Sequence, residues 1–173
     1  MVRRMNTPRS LALILLVLCA AASQAGQRVR SRAGVGARYY SGQDTEIAAP
    51  FDNDTSYGLV YEYHEGGTFW QFGVSYASSM GSNHVDAVIT PEINLMVTDG
   101  GWRGGIGVLA SHIETEDDSD WSDIYYQFIL GFEIPVGALA LNFQTYYVFD
   151  DFDNLDEFDI DELDVSAYLM YQF

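Results

Sequence analysis

Residues 165–173 read VSAYLMYQF, and the fold turns on how this stretch is interpreted. Counting back from Phe173, every second residue is apolar or aromatic: Tyr171, Leu169, Ala167 and Val165. The residues between them, Gln172, Met170, Tyr168 and Ser166, are mostly polar or polar-tipped. A period of two places the two sets on opposite faces of a β-strand. The strand still alternates when it reaches Phe173, with no polar tail after it.

The same phrase, about ten alternating residues and then a turn, repeats back through the chain. Candidate strands fall at 33–42, 56–65, 67–79, 84–98, 101–115, 123–134, 138–150 and 161–173. After the N-terminal segment no run of eighteen apolar residues occurs, which excludes membrane helices. Proline and glycine recur too often for long soluble helices.

Turn chemistry tests the pattern, because hairpin register follows from the turn. Folding about Glu65-Gly66-Gly67-Thr68 sets Tyr63 opposite Trp70, Tyr61 opposite Phe72, Leu59 opposite Val74 and Tyr57 opposite Tyr76. The other face then pairs Glu62 with Gln71, Val60 with Gly73 and Gly58 with Ser75. A turn at Thr98-Asp99-Gly100-Gly101 pairs Val97 with Trp102, Leu95 with Gly104, Ile93 with Ile106 and Ile89 with Ala110, leaving Glu92, Asn94 and Arg103 opposite. A slightly longer loop at Pro135-Val136-Gly137 pairs Phe132 with Leu141, Leu130 with Phe143, Tyr126 with Tyr147 and Ile124 with Phe149. Glu133, Gln127, Asn142 and Gln144 point the other way. Three turns give the same segregation of apolar from polar.

Alternation does not say which face is outside; four observations do. An eight-stranded barrel has an interior just wide enough for side chains, and Trp70, Phe72, Tyr76, Phe128, Phe132, Phe143, Tyr171 and Phe173 would overfill it. Gly36, Gly58, Gly73, Gly105, Gly107 and Gly131, on the other face, suit a crowded lumen. Aromatics gather near strand ends: Tyr63, Trp70, Trp102 and Phe173 beside the tight turns, and Tyr39, Tyr57, Tyr76, Tyr126 and Tyr147 toward the longer loops. Two such girdles suit two membrane interfaces. Connections alternate between tight turns and mostly longer, acidic loops near 43–55, 80–83, 116–122 and 151–160. Lastly, a closed barrel has no free edge, so the final strand pairs with the first. The expected fold is all-β, a closed eight-stranded antiparallel up-and-down transmembrane β-barrel.

The terminal alternation of Leu169, Tyr171 and Phe173 resembles the C-terminal assembly signal of bacterial outer-membrane proteins. With the strand count, the chain resembles the small eight-stranded outer-membrane barrels, the group of the OmpX-like proteins and the OmpA membrane domain. The resemblance spans the whole mature chain, residues 26–173, as architecture plus that signal. It implies recognition by the barrel-assembly machinery, long loops outside the cell and both mature termini in the periplasm.

The other end agrees. Arginines at 3, 4 and 9 precede the apolar run 11–22, which closes on Ser23-Gln24-Ala25. This is the layout of a secretory signal peptide over residues 1–25, followed by a short periplasmic segment at 26–32. The apolar run is shorter than a stable membrane helix needs. Cys19, the only cysteine, lies within it, and Leu18 before it argues against lipidation. Beyond residue 26 the chain carries all 25 acidic residues against five arginines and no lysine. A nucleic-acid surface needs clustered cations, so that balance argues against nucleic acid as a partner. The 48% hydrophobic and 14% aromatic content excludes disorder.

Chemistry-bearing residues are few. Arg38 and Arg103 are the cations placed within strands. They share the inward face with Glu62, Glu92 and Glu133, so a lumen ion-pair network is expected, since an unpaired charge in so small a space is costly. The functional alternative is a charged filter in a small porin-like channel. His84, near Ser82 and Asp86, and Ser111-His112 raise the possibility of a lipid A-modifying acyl hydrolase or acyltransferase. The register turns His84 inward and His112 outward, so the two diverge, and no catalytic set is assigned. His64 sits beside the Gly66-Gly67 turn, at the wrong end for outer-leaflet chemistry. No cofactor is expected. Weak metal candidates are Asp151, Asp153 and Asp156, whose spacing lacks the central glycine and closing glutamate of an EF-hand loop. Loosely bound divalent cations bridging the acidic loops to lipopolysaccharide fit the composition better. The expected function is a non-enzymatic outer-membrane barrel with a plugged polar lumen, in contact with membrane lipid and with an extracellular ligand or host surface.

Overall fold

A computed structural model describes residues 30–41, 55–80, 85–152 and 163–173. Ten strands form one antiparallel sheet: β1 (Arg30–Tyr39), β2 (Thr55–Glu65), β3 (Thr68–Met80), β4 (Val85–Asp99), β5 (Trp102–Leu109), β6 (His112–Thr115), β7 (Ser119–Trp121), β8 (Tyr125–Val136), β9 (Leu139–Phe149) and β10 (Asp164–Gln172). β10 pairs with β1, and the pairing of β3 with β4 joins the two halves, so the sheet is a closed ring. β6 continues β5 along β4, so the ring has eight staves. Closure pairs every stave of the ring on both sides; β7, above it, pairs with β6 alone.

Faces follow the alternation. Outward positions are apolar and exposed, as at Leu59 (60%), Tyr57 (69%), Trp102 (64%) and Leu130 (60%), whereas Glu62, Gln71, Asn94 and Arg103 are fully buried inside. Glycine on the inner wall makes room for its neighbours: a methyl at Gly107 would overlap the Asn94 amide, and one at Gly36 would strike the Tyr168 ring.

The Gly66-Gly67 hairpin has the expected pairs, from Tyr57–Tyr76 to Tyr63–Trp70. The other two tight hairpins are displaced by two residues. Val97 faces Gly104 instead of Trp102, and Leu95 faces Ile106. Phe132 faces Phe143 instead of Leu141, and Tyr126 faces Phe149. The turns are therefore Gly100-Gly101 and Gly137-Ala138. Gly100, Gly101 and Gly137 have φ of 58°, 92° and 66°, a region glycine enters without steric cost. A shift of two leaves every side chain on its expected face. β1 also starts at Arg30, three residues before the expected 33, which brings Arg32 into the barrel wall.

At the loop end one stave kinks. Pro91 of β4 has no N–H to give, and opposite it the ladder lapses at Ala110 and Ser111, between β5 and β6. Three residues, 122–124, separate β7 from β8 on the partner strand, one more than on the β5–β6 side. This bulge flips the side-chain order, so Trp121 comes to the outside and stacks on His112 at 5.1 Å. Much of the loop expected at 116–122 is thus a hairpin that prolongs the barrel.

Candidate functional site

The candidate site is the lumen, built from the inward residues of all eight staves. Near the loop end, Arg38 of β1 reaches across to β10, where Nε and Nη2 donate to Asp164 Oδ2 at 3.1 and 2.7 Å. Its Nη1 donates to Glu92 Oε2 of β4 at 3.4 Å and to Gln127 Oε1 of β8 at 3.3 Å. The guanidinium also lies over the Tyr146 ring, 3.9 Å from its centroid. One planar cation on β1 therefore engages four other staves, its directional donors reaching acceptors on three of them.

From there the hydrogen bonds run without a break toward the turn end. Gln127 Nε2 donates to Glu92 at 3.1 Å and to Asn94 Oδ1 at 2.7 Å. Asn94 Nδ2 donates to Gln71 Oε1 at 3.0 Å, and Gln71 Nε2 to Glu62 Oε1 at 3.2 Å. Glu62 also accepts from Arg103 Nη2 and lies 2.8 Å from His64 Nε2. Arg103 packs over Phe69 at 4.5 Å, and His64 stacks on the same ring at 4.4 Å. Glu133 closes the turn end, paired with Arg32 and 3.7 Å from Arg103 Nη1.

The structure thus brings Arg38, Glu62, Glu92, Arg103 and Glu133 into one chain. Asp164, His64 and Arg32 are further members that sequence reasoning missed, so Arg38 and Arg103 are not the only cations in the wall. Parity held the signal for all three. Asp164 alternates in step with Ser166 and Tyr168, His64 with Glu62, and Arg32 with Gly34, Gly36 and Arg38. Among the described residues three arginines face four carboxylates in the lumen, and each has a counter-ion, as burial in low dielectric demands.

The other sequence candidates are dispersed. Ser111 is buried and its hydroxyl lies 2.8 Å from Thr90 Oγ1, while His112 points outward onto Trp121, so adjacent residues face opposite sides of the wall. Ser82 and His84 lie outside the described residues; Asp86 is exposed. Asp151 is exposed, and Asp153 and Asp156 lie outside the described residues. Among the described residues no group of three or more His, Cys, Asp or Glu side chains is disposed to hold a metal ion.

Of the girdle aromatics, Tyr57, Tyr63, Trp70, Tyr76 and Trp102 are exposed on the outer wall, and Tyr126 is half-buried. Tyr147 departs from the expectation: it is 7% exposed, 5.9 Å from Phe149 in a cluster that includes Tyr126, Phe128 and Phe152. Leu169, Tyr171 and Phe173 face outward, and the Phe173 N–H donates to the Ser31 carbonyl at 3.2 Å, extending the seam with β1.

No known protein family matches the sequence, and no curated protein does. Among solved structures, Neisserial surface protein A (NspA) is similar in fold, with a TM-score of 0.51 at 8% identity over 84% of this chain and 97% of that one. Ail, the attachment invasion locus protein of Yersinia pestis, solved in complex with the heparin analogue sucrose octasulfate, aligns over 85% of this chain and 100% of its own. Its identity is 13% and its TM-score 0.39.

Proposed function

We propose that this chain is an integral outer-membrane barrel, without enzymatic activity, whose lumen is a structural plug and whose outer end carries acidic surface to the exterior. One observation carries the reading: the wall is apolar outside and ionic inside. A water-soluble protein hides its large apolar side chains; here Leu59, Phe72, Trp102 and Leu130 are exposed while three arginines are not. Hydrocarbon is the solvent that suits this inversion. The plug reading is supported by Arg38, which bonds to β4, β8 and β10 at once across the loop end of the lumen.

Residues 1–25 act as the export signal, the turn end faces the periplasm, and Leu169, Tyr171 and Phe173 serve assembly. At the other end the hairpin from Glu114 to Asp123 exposes Glu114, Glu116, Asp117, Asp118, Asp120 and Asp123. Such a surface repels polyanions and favours a basic partner surface, or divalent cations shared with lipopolysaccharide phosphates.

Membrane fractionation followed by electrophoresis with and without boiling tests the reading. The expected result is a membrane-bound band that migrates faster before boiling than after. A protein that stays in the soluble fraction, with one mobility, overturns it. Lipid A that gains or loses acyl mass when incubated with the purified chain overturns the non-enzymatic part.

A further inference from the structure

Seven buried side-chain polar atoms among the described residues make no hydrogen bond, and five of them belong to three residues of the lumen. They are Arg103 Nε and Nη1, Asn142 Oδ1 and Nδ2, and Gln144 Nε2. Arg103 and Asn142 are 1% exposed and Gln144 2%. A buried donor or acceptor without a partner loses its hydration and gains nothing in return, so such a group calls for a ligand.

The three residues border one stretch of inner wall. Arg103 of β5 faces Gly131 of β8, and Gly131 in turn faces Gln144 of β9. Gly131 has no side chain, and Gln144 leans over it: Gln144 Cγ lies 2.9 Å from where a Cβ on Gly131 would stand. Next along β9 on the same face, Asn142 is opposite Glu133, whose Oε2 is 3.7 Å from Arg103 Nη1, a charge contact too long for a hydrogen bond. The Gln144 amide is oriented by its neighbours. Ser166 Oγ donates to the Tyr146 hydroxyl at 3.2 Å, which donates to Gln144 Oε1 at 2.6 Å, so Nε2 is the half left over.

We propose that Arg103, Asn142 and Gln144 form an internal binding site for ordered water. A buried water makes about three hydrogen bonds, so roughly two molecules serve the five atoms. Hydrogen-bond chemistry selects this ligand. Four of the atoms are nitrogens that donate and one, Asn142 Oδ1, accepts, so the ligand both accepts and donates. A chloride would answer the nitrogens but leave Oδ1 unpaired and lie beside Glu133. A metal cation would answer Oδ1 and lie against the Arg103 guanidinium. Charge calls for neither ion: Arg32 and Arg103 already balance Glu62 and Glu133, and Arg30, on the same face, is exposed at the mouth. The inference rests on the plug reading and completes it, because water then joins Arg103 and Glu133 to the Gln144–Tyr146–Ser166 chain across β8 and β9.

The test is solution NMR of the full chain in detergent micelles, reading cross-relaxation from water to the side-chain amides. Transfer is expected at the Asn142 and Gln144 NH2 groups and not at those of Asn94 and Gln71, which donate to protein oxygens at 3.0 and 3.2 Å. No transfer at Asn142 and Gln144, or equal transfer at all four amides, overturns the proposal. So does a shift of the Asn142 amide when chloride is replaced by sulfate or when magnesium is added, since an ion would then hold the site. Asn142→Leu keeps the side chain's size and removes both amide atoms, displacing the water and stranding the Arg103 and Gln144 donors. Its urea midpoint of unfolding should fall below that of the parent; an equal or higher midpoint means that the amide was dry and overturns the water site. A Leu variant that does not fold leaves the NMR of the parent to decide. Single-channel conductance by the parent in planar bilayers would remove the plug reading itself, whereas a non-conducting barrel without these water contacts removes the water site alone.

Discussion

Arg103 is fully buried with its guanidinium between Glu62 and the Phe69 ring, so removing it leaves a carboxylate in the lumen short of its main counter-ion. Arg103→Met should cost about 3–5 kcal/mol, the usual penalty for stranding one member of a buried pair. The urea midpoint of unfolding from detergent or vesicles measures it. Arg103→Met combined with Glu62→Met should recover more than half of the loss, because neither charge then remains uncompensated; a double variant as unstable as the single one would contradict the ion-pair account. At this scale the inward charges are legible from parity once a strand is placed. Glu62, Glu92 and Glu133 sit in clear alternation. Arg32 and Asp164 were missed because each lies at the mouth of its strand, next to sequence that reads as segment or loop: RVRSR on one side and an acidic run on the other. Hydrophobic periodicity fades where a strand meets polar flanks, while the hydrogen-bond ladder continues.

Hairpin geometry separates what periodicity decides from what it cannot. In the tight hairpins the alternation assigns each described side chain to a face, and the structure keeps those faces, yet two registers differ by two residues. A shift of two returns each apolar residue to the same side, so no pattern of burial detects it. The choice rests on backbone conformation, with Gly100, Gly101 and Gly137 taking positive φ. Gly137→Ala should therefore cost about 1–2 kcal/mol from backbone strain alone, since nothing lies within 4 Å of an added Cβ there. Gly67→Ala, at a turn position outside the left-handed set and with only ordinary contact to the Thr98 carbonyl at 3.5 Å, should stay within about 0.5 kcal/mol. Unfolding midpoints of the two variants check the contrast; equal losses would mean that turn conformation does not set the register. The kink at Ala110–Ser111 was equally hidden. Pro91 signals a lost hydrogen bond, but the extra residue opposite, which turns Trp121 outward, has no signature in the alternation.

For the whole molecule the decisive property is inversion, apolar outside and ionic within. The strand count, the alternation and the crowding of aromatics on one face were enough to expect it, because they are global sums that survive errors of register. Its energetic consequence is a substitution test. Leu59, midway along β2 and 60% exposed, should lose about 2–4 kcal/mol of membrane stability on replacement by Arg, as lipid-facing sites near the bilayer centre do. The exposed Asp151 should accept Arg with little change, and urea titration in vesicles compares the two.

The most direct measurement reads the outer wall itself. Trp70 and Trp102 are exposed on it at 46% and 64%, so the barrel is reconstituted into vesicles of lipids brominated along the acyl chain, and tryptophan fluorescence is compared with that in unbrominated lipid. The account predicts strong quenching of both residues in single-tryptophan variants, from direct contact with the chains. Emission that bromination leaves unchanged, from protein recovered in the aqueous phase, would contradict it.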